Sequence, residues 1–547
     1  MHLIISASTS RKITDALYYT IIGLFVLAVI LNIVYQAAYL IQANPHMPFL
    51  EADNYEYYLF AKLAIMNPSL GPYNITNPYL IGATPGFFEH PGLYLMPVYL
   101  YDLTHIPLVW DFRILQGIAV FVIYLVSLLI VRKVMNALAV NRIYNWLAYT
   151  IVLTSFLLMQ YNEIVEWRGN EFIVAISLVI TYLLAYMFSK RDNVIVLLMW
   201  IPVTALALGA VWIWSGGGVV VVPLVTALFF GVFIYRILLR GHARVWRYVA
   251  LGVVISAILL FLFVGQVETA ISSFTSTYGF GCLAPNPLRI GELECLNTSN
   301  GLLAILMMLV FSGFGLAAFL GDTIMSNKRN EYEYYLLGTF IAGILFLPLA
   351  LIYIRLLDLI APYFTIMYAL GIVAMLSYFS KSGSNRLVLS LTILLILISA
   401  FVGQYLFFVS SSILYSFANP TGLVNATAYM RSSGANSTVF AYYAYDDYIE
   451  AYGHLRVYAD TIQGLNYTKI ESMDMVFKQN STNACNMLKG IDPPPHFILI
   501  GESMLNSTLF QNVSNSSILK NPQSLNNSCG YRIRYDKGGF VVLAYNE

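Results

Sequence analysis

Long runs of apolar residues recur along the first three quarters of the sequence and constrain its fold more than any other feature. A helix of roughly 18 or more apolar residues crosses the hydrocarbon core of a bilayer. We identify about eleven such runs, near residues 16–41, 113–131, 144–162, 172–188, 194–213, 217–239, 248–267, 301–320, 335–352, 356–379 and 387–409. The first run is too long for a signal peptide and lacks a small-residue cleavage site. The sequence therefore predicts a polytopic α-helical membrane protein.

The overall composition supports this prediction and excludes several function classes. Charged residues make up 10% of the chain and hydrophobic residues 59%, whereas about a quarter of a soluble domain is charged. The 29 Lys and Arg residues nearly balance the 28 Asp and Glu residues, so the chain lacks the basic excess that binds phosphate backbones. We therefore expect no nucleic-acid partner, no disorder and no ordinary cytosolic enzyme.

The distribution of basic residues predicts the orientation of the chain. Short loops rich in Lys and Arg stay in the cytoplasm, and such loops alternate along the predicted spans. The residues concerned are Arg11, Lys12, Arg132, Lys133, Arg142, Lys190, Arg191, Arg240, Arg244, Arg247, Lys328, Arg329, Lys381 and Arg386. This pattern predicts an integral, multi-pass protein with a cytoplasmic N-terminus and an extracytoplasmic C-terminal domain.

Sequons and cysteines agree with this orientation. Every N-x-[ST] triplet falls in a segment predicted to be external; the asparagines are Asn74, Asn297, Asn425, Asn436, Asn466, Asn480, Asn506, Asn512, Asn515 and Asn526. All four cysteines are also external, and an oxidising compartment allows the disulfides Cys282–Cys295 and Cys485–Cys529, four free thiols being the alternative. No CxxC or HExxH spacing indicates zinc.

The sequence divides into a membrane domain, residues 1–410, and a C-terminal external domain, residues 411–547. The membrane domain carries large external loops at about 42–112, 163–171 and 268–300. The C-terminal part predicts an amphipathic helix, a turn at Ser433 and Gly434, and a strand from Thr438 to Tyr443. A helix near 481–489, a strand at 496–500 and a hairpin turning at Gly538 and Gly539 follow. This order predicts a small α/β domain.

Acidic residues in the three external loops are candidates for chemistry. Asp53 lies in the first loop, Glu171 in the second and Glu292 in the third. Carboxylates from separate segments supply the hard oxygen ligands that Mg²⁺ or Mn²⁺ prefers. The alternative is solvated loop charge, and we assign it to the neighbouring acids, Glu163, Glu166 and Glu294.

Arg355 lies within strongly apolar sequence near the outer end of a predicted span. An unpaired guanidinium is costly there, whereas its fork of donors suits the phosphate of a lipid-linked donor. Pairing with Asp358 on the same helix is the alternative.

Several segments resemble one known family in the same order along the chain. EADNYEYYLFAKLA at 51–64, WRGNEFIVAI at 167–176, WIWSGGGVVVVPL at 212–224, LRIGELE at 288–294, IRLLDLIAPYF at 354–364 and STVFAYYAYDDYIEAYGHLRVYAD at 437–460 carry the resemblance. They are similar to the motifs of oligosaccharyltransferase catalytic subunits, which are GT-C membrane glycosyltransferases. The resemblance implies a GT-C fold with about 11–13 transmembrane helices.

The resemblance also implies an activity and roles for individual residues. The activity is inverting transfer of a glycan from a polyprenyl phosphate or pyrophosphate to the Asn of an N-x-[ST] acceptor, a secreted or membrane polypeptide. Asp53, Glu171 and Glu292 would bind a divalent cation, Mn²⁺ or Mg²⁺, and Glu292 would also orient the acceptor amide. Arg355 would bind the donor phosphate. The acceptor would contact the tail residues Tyr442, Tyr443, Tyr445, Asp446 and Asp447.

Several positions depart from the family pattern and keep other functions open. In the family's WWDYG signature, Tyr442 and Tyr443 replace the two Trp, and Ala444 replaces the Asp that binds the acceptor hydroxyl. Gly169 replaces one acid of the second loop. Ala444 favours a GT-C relative that uses the same lipid-linked donor on a different acceptor. A transporter or non-catalytic membrane partner is a third possibility, but transporters usually place charges at mid-membrane and show repeated halves.

Overall fold

The computed structural model describes residues 52–69, 75–82, 91–137, 169–189, 193–213, 332–352, 362–373, 420–434, 436–459, 467–506 and 512–546, with short stretches between them. The predicted spans near 16–41, 144–162, 217–239, 248–267, 301–320 and 387–409 lie wholly or mostly outside these residues. The membrane-domain helices are α1 (Ala52–Met66), α2 (Pro91–Thr104), α3 (Leu108–Ala137), α4 (Gly169–Ser189), α5 (Asn193–Ile213), α6 (Tyr332–Ile352) and α7 (Pro362–Val373).

Among the described residues, three helices, α3, α4 and α5, are long and apolar enough to cross a membrane. Helix α4 lies at the centre and packs against α3, α5 and α6. It also contacts α7, where the hydroxyls of Thr181 and Tyr363 are 3.1 Å apart. Val194, Leu198 and Ile201 on α5 are more than half exposed, as is expected of side chains that face lipid.

The segment predicted to form the first external loop contains two helices, α1 and α2, and α2 packs against α3 and α5. Phe60 on α1 packs against Tyr94 on α2, with ring centroids 5.9 Å apart. Tyr99 on α2 stacks on Trp212, at the end of α5, with centroids 6.4 Å apart. Aromatic side chains of this kind are typical of the membrane interface.

The C-terminal domain is built on a five-stranded mixed sheet. Its strands are β1 (Thr438–Phe440), β2 (Arg456–Val457), β3 (Phe497–Gly501), β4 (Tyr531–Lys537) and β5 (Phe540–Tyr545), in the order β2-β1-β3-β5-β4. Strands β1, β2 and β3 are parallel, whereas β5 runs antiparallel to both β3 and β4. Every residue of β3 is buried, which fits its uninterrupted apolar sequence. Gly538 and Gly539 turn the last hairpin with positive φ angles, a conformation that glycine adopts freely.

Helices and one disulfide complete the domain. The helices are α8 (Pro420–Ser433), α9 (Tyr443–Tyr448), α10 (Tyr467–Lys478), α11 (Ser481–Lys489), α12 (Glu502–Asn506) and α13 (Ser524–Cys529). The Asn480 side chain caps α11 by accepting a hydrogen bond from the Asn483 N–H at 2.9 Å. A disulfide joins Cys485 on α11 to Cys529 on α13. Cys282 and Cys295 lie outside the described residues.

One predicted strand of this domain is present but shorter than predicted. Strand β1 ends at Phe440, and the chain from Tyr443 to Tyr448 forms helix α9, continued by a π-helical turn to Gly453. The sequence analysis did not predict helix α9, in which Tyr445 and Tyr448 both bury their side chains.

Asp474 on α10 provides a pH-dependent prediction for this domain. Burial raises the pKa of its carboxyl to about 8, against the opposing effect of Lys478. A carboxyl whose pKa is higher in the folded state than its unfolded value of about 4 stabilises the fold fully below pH 4. That contribution is lost as the pH rises through 8, because the unfolded chain ionises first. Asp474→Asn should therefore raise the unfolding temperature of the tail domain, by an amount that grows between pH 5 and pH 8. The exposed Asp536→Asn is the matched control; equal pH profiles for the two variants would contradict the burial argument.

Candidate active site at the external loops

Two acids predicted to bind a cation lie in the first turns of two helices. Asp53 is the second residue of α1 and Glu171 the third residue of α4. Glu171 is fully buried, whereas the Asp53 side chain is not among those that the structure describes. N–H groups at a helix N-terminus lack partners within the helix and favour negative charge. Both positions therefore suit an anionic side chain.

A row of aromatic rings brings the starts of these helices together. Phe49, just before α1, lies 5.6 Å from Phe112 in the first turn and a half of α3. Phe112 lies 4.9 Å from Trp167, which in turn lies 5.0 Å from Phe172, the neighbour of Glu171. The beginnings of α1, α3 and α4 thus meet at one cluster. The segments predicted to form the first and second external loops therefore converge at this cluster.

Asn54 is a polar residue at this position that the sequence did not single out. It follows Asp53 directly and is fully buried. Within the described part of the chain, neither its amide oxygen nor its amide nitrogen has a hydrogen-bond partner. Because an unsatisfied buried amide costs free energy, its placement beside a predicted ligand position marks it as a candidate site residue.

The first external loop also joins the tail domain through backbone hydrogen bonds. The Ile81 N–H donates to the Val457 carbonyl, and the Val457 N–H donates to the Tyr79 carbonyl, both at 2.9 Å. Leu80 pairs with Val457 in a parallel bridge. The loop therefore extends the tail sheet beyond its edge strand β2. We call this contact between residues 52–82 and the tail domain the seam.

Side chains reinforce the seam. The Asn77 amide donates to the Glu450 carboxylate at 2.8 Å, and both residues are buried. Tyr55 on α1 packs edge-on against Tyr448 on α9, with centroids 5.2 Å apart. Tyr58 stacks on Tyr452, with centroids 5.8 Å apart and planes inclined by 12°. The same helix that carries Asp53 is therefore packed against the tail domain.

The basic edge of the seam is partly buried. The Lys62 ammonium lies 4.3 Å from the centroid of Tyr58, and burial lowers the pKa of Lys62. Burial also lowers the pKa of His454, and the positive charges of Arg431 and Lys62 lower it further.

Two of the predicted acceptor residues lie at the carboxyl ends of the parallel strands. Tyr442 and Tyr443 follow β1 and are half-buried. Their rings are 4.7 Å apart, and Phe510 lies 5.6 Å from Tyr442. Ligands of open α/β sheets bind at this edge. Tyr442 and Tyr443 therefore form a tyrosine wall with surface left for contact, and the buried Phe510 supports it from behind.

The other three predicted acceptor residues lie inside the domain, behind this wall. Tyr445, Asp446 and Asp447 are each at most 1% exposed. The Tyr445 hydroxyl lies where a Cβ at Gly501 would stand, so glycine is required at the end of β3. As the structure stands, these three side chains present no surface to an acceptor.

The remaining predicted residues cannot be placed. Glu292 and Arg355 lie outside the described residues. Within the described part of the chain, no group of three His, Cys, Asp or Glu side chains is arranged to hold a metal ion. The ligand atoms still fit a hard divalent cation, since the Glu171 carboxylate offers oxygen ligands at a buried helix N-terminus.

The chain combines apolar helices with a C-terminal α/β domain, and residues 52–82 join the two parts. This is the fold of GT-C membrane glycosyltransferases. Within that class it is similar to an archaeal oligosaccharyltransferase, which confirms the resemblance seen in the sequence. No family model and no curated protein matches the sequence.

Three solved structures document the similarity. The Archaeoglobus fulgidus oligosaccharyltransferase tethered to an acceptor peptide with an NVT sequon matches 95% of this chain and 74% of its own, at 13% identity and a TM-score of 0.60. The same enzyme with zinc and sulfate matches 94% and 72%, at 12% identity and 0.57. ArnT from Cupriavidus metallidurans, bound to undecaprenyl phosphate, matches 95% and 97%, at 10% identity and 0.54.

Proposed function

We propose that this protein transfers a glycan from a polyprenyl phosphate or pyrophosphate to the Asn of N-x-[ST] acceptors at the outer face of a membrane. The observation that carries the proposal is the arrangement around α1. The start of this helix, which carries Asp53, lies at the aromatic cluster that includes Phe172, the neighbour of Glu171. The body of the helix packs against the tail domain. Helix α1 thus connects the residues that we assign to the donor with the tail domain that we assign to the acceptor.

The similar structures support both substrates. The archaeal oligosaccharyltransferase was solved with an acceptor peptide and ArnT with undecaprenyl phosphate. The integral membrane helices give a lipid-linked donor access from the bilayer. ArnT therefore supports the lipid-linked donor, and the oligosaccharyltransferase supports the polypeptide acceptor.

We assign the divalent cation to Asp53, Glu171 and Glu292. When bound, Mn²⁺ or Mg²⁺ would stabilise the negative charge that develops on the departing phosphate. The archaeal oligosaccharyltransferase was crystallised with zinc, and the carboxylate donors here suit a harder ion.

The protein's own residues supply binding and orientation. Arg355 binds the donor phosphate through its fork of N–H donors. Glu292 accepts a hydrogen bond from the acceptor amide and holds its nitrogen toward the anomeric carbon. Tyr442 and Tyr443 position the acceptor polypeptide. Because an amide nitrogen is a weak nucleophile, this positioning and the local charge must supply much of the rate.

A transfer assay tests the proposal. The purified protein is incubated with extracted lipid-linked glycans and a fluorescent Asn-x-Thr peptide, with the matching Gln-x-Thr peptide as the control. We expect glycan transfer to the Asn peptide alone, its loss with EDTA, and its loss in Asp53→Ala. An unmodified Asn peptide under conditions in which the donor is consumed would contradict the proposal.

A second function is favoured by one residue. Ala444 cannot accept the hydrogen bond that the family's Asp accepts from the acceptor hydroxyl, and the chain covers 97% of ArnT. A GT-C enzyme that transfers the same kind of lipid-linked sugar to a different acceptor is therefore the alternative. It predicts sugar on a lipid or another protein site in the same assay.

A further inference from the structure

Six N-x-[ST] triplets have a described, exposed asparagine, and the structure separates them by environment. Asn425 and Asn526 lie within helices, and Asn480 caps one. Thr438, the hydroxyl residue of the Asn436 triplet, is buried and bonded to His496. Ser517, the hydroxyl residue of the Asn515 triplet, is also buried.

The triplet Asn512-Val513-Ser514 is different. It lies outside helices and strands, and both Asn512 and Ser514 are exposed. Asn512 has a φ of 63°, a left-handed conformation that Asn tolerates in turns. Its amide has no hydrogen-bond partner among the described residues, whereas the amide oxygen of Asn515 accepts a bond from Lys520. The Asn480 triplet also exposes its hydroxyl residue, Thr482, but its asparagine side chain caps α11. Among these triplets, Asn512 alone combines an exposed asparagine outside helices and caps with an exposed hydroxyl residue.

The position of this triplet adds a second observation. Phe510, two residues before Asn512, packs 5.6 Å from Tyr442 and 6.2 Å from Phe477. Two residues of chain span at most about 7 Å. Asn512 therefore lies close to the tyrosine wall to which we assign acceptor binding.

We infer that Asn512 is a built-in acceptor of this protein, modified by its own glycan transfer; the inference rests on the proposed function. The Asn512 side-chain nitrogen forms a bond to the anomeric carbon of the lipid-linked sugar. The bond between that carbon and the phosphate oxygen breaks, and its electron pair leaves with the lipid phosphate. One amide proton passes to a carboxylate or to water. The product is a glycosylated chain and a free lipid phosphate or pyrophosphate.

Mass spectrometry of the full-length protein tests the inference. The unmodified protein is reconstituted with extracted lipid-linked glycans and a fluorescent Asn-x-Thr peptide in the same reaction, then digested and mapped. We expect a glycan on the segment that contains Asn512, and none in Asn512→Gln. Ser514→Ala, which leaves the asparagine in place, should also abolish the modification. Asn480→Gln is the matched control and should leave occupancy at Asn512 unchanged, and both Asn512→Gln and Asn480→Gln should still modify the peptide.

The possible outcomes each support or overturn the modification of Asn512. Glycan at Asn512 that disappears in Ser514→Ala supports a sequon-directed modification. An unmodified Asn512 beside a modified peptide overturns the inference and leaves the proposed function in place. If both remain unmodified, the proposed function and the inference fall together. A glycan that persists in Ser514→Ala also overturns the inference, because recognition would then not involve the sequon.

Discussion

Replacing Glu171 with glutamine should abolish glycan transfer while the protein still folds. The amide has nearly the same volume as the carboxylate, so packing at the first turn of α4 is retained, but the negative charge that would bind a cation is lost. Removal of one charge-stabilising group from an active site typically lowers the rate by about 100-fold or more. Initial rates with the fluorescent Asn-x-Thr peptide, measured across Mn²⁺ concentrations, report this loss.

Glu333→Gln is a closely matched control for that variant. Glu333 also lies in the first turn of a membrane-domain helix and is also buried, but the predicted topology places it at the cytoplasmic end. We expect this variant to retain transfer at near the unmodified rate. Equal losses in both variants would show that burying an amide at a helix start impairs the fold, and would remove the support for Glu171 as a ligand.

The second large effect is expected at the seam. Glu450→Ala removes the acceptor for the buried Asn77 amide, and losing such a bond costs about 1–3 kcal/mol. Because α1 carries Asp53 and packs on the tail domain, a weaker seam should separate the acceptor wall from the acidic residues. We expect faster hydrogen exchange in residues 75–82 and a fall in peptide transfer of about tenfold, the change in rate that corresponds to 1.4 kcal/mol.

Glu450→Gln tests whether the hydrogen bond is responsible. Its amide oxygen can still accept from Asn77, so exchange in residues 75–82 should stay close to that of the unmodified protein. Glu502→Ala changes an exposed acid of the same domain and should have no effect on either readout. If Glu450→Ala matched Glu450→Gln in exchange and in transfer, the seam would not depend on this contact.

Local sequence patterns predicted the helices and turns whose conformation is determined by a single continuous segment. The apolar runs placed α3, α4 and α5, and paired glycines placed the last hairpin. Helix α9 was not predicted, because a segment of six residues is too short for a periodic pattern to distinguish a buried helix from other structure. In such short segments, neighbouring elements decide the conformation.

Local sequence patterns could not predict the contacts that form the site, because these contacts join residues far apart in the chain. Asn77 and Glu450 are 373 positions apart, and nothing near either residue indicates the other. The same applies to Phe112, whose ring joins two external loops, and to Phe510 beside Tyr442. The family resemblance supplied Asp53 and Glu171 as candidates, but the buried amide of Asn54 became visible only in the folded chain.

The most direct test of the central claim is one experimental structure of the protein with Mn²⁺ and an Asn-x-Thr peptide. Anomalous scattering would locate the ion, and the peptide density would locate the acceptor. The account predicts manganese bound by Asp53 and Glu171 at the starts of α1 and α4, with the peptide lying against Tyr442 and Tyr443. An ion bound elsewhere, or a peptide away from the tyrosine wall, would contradict it.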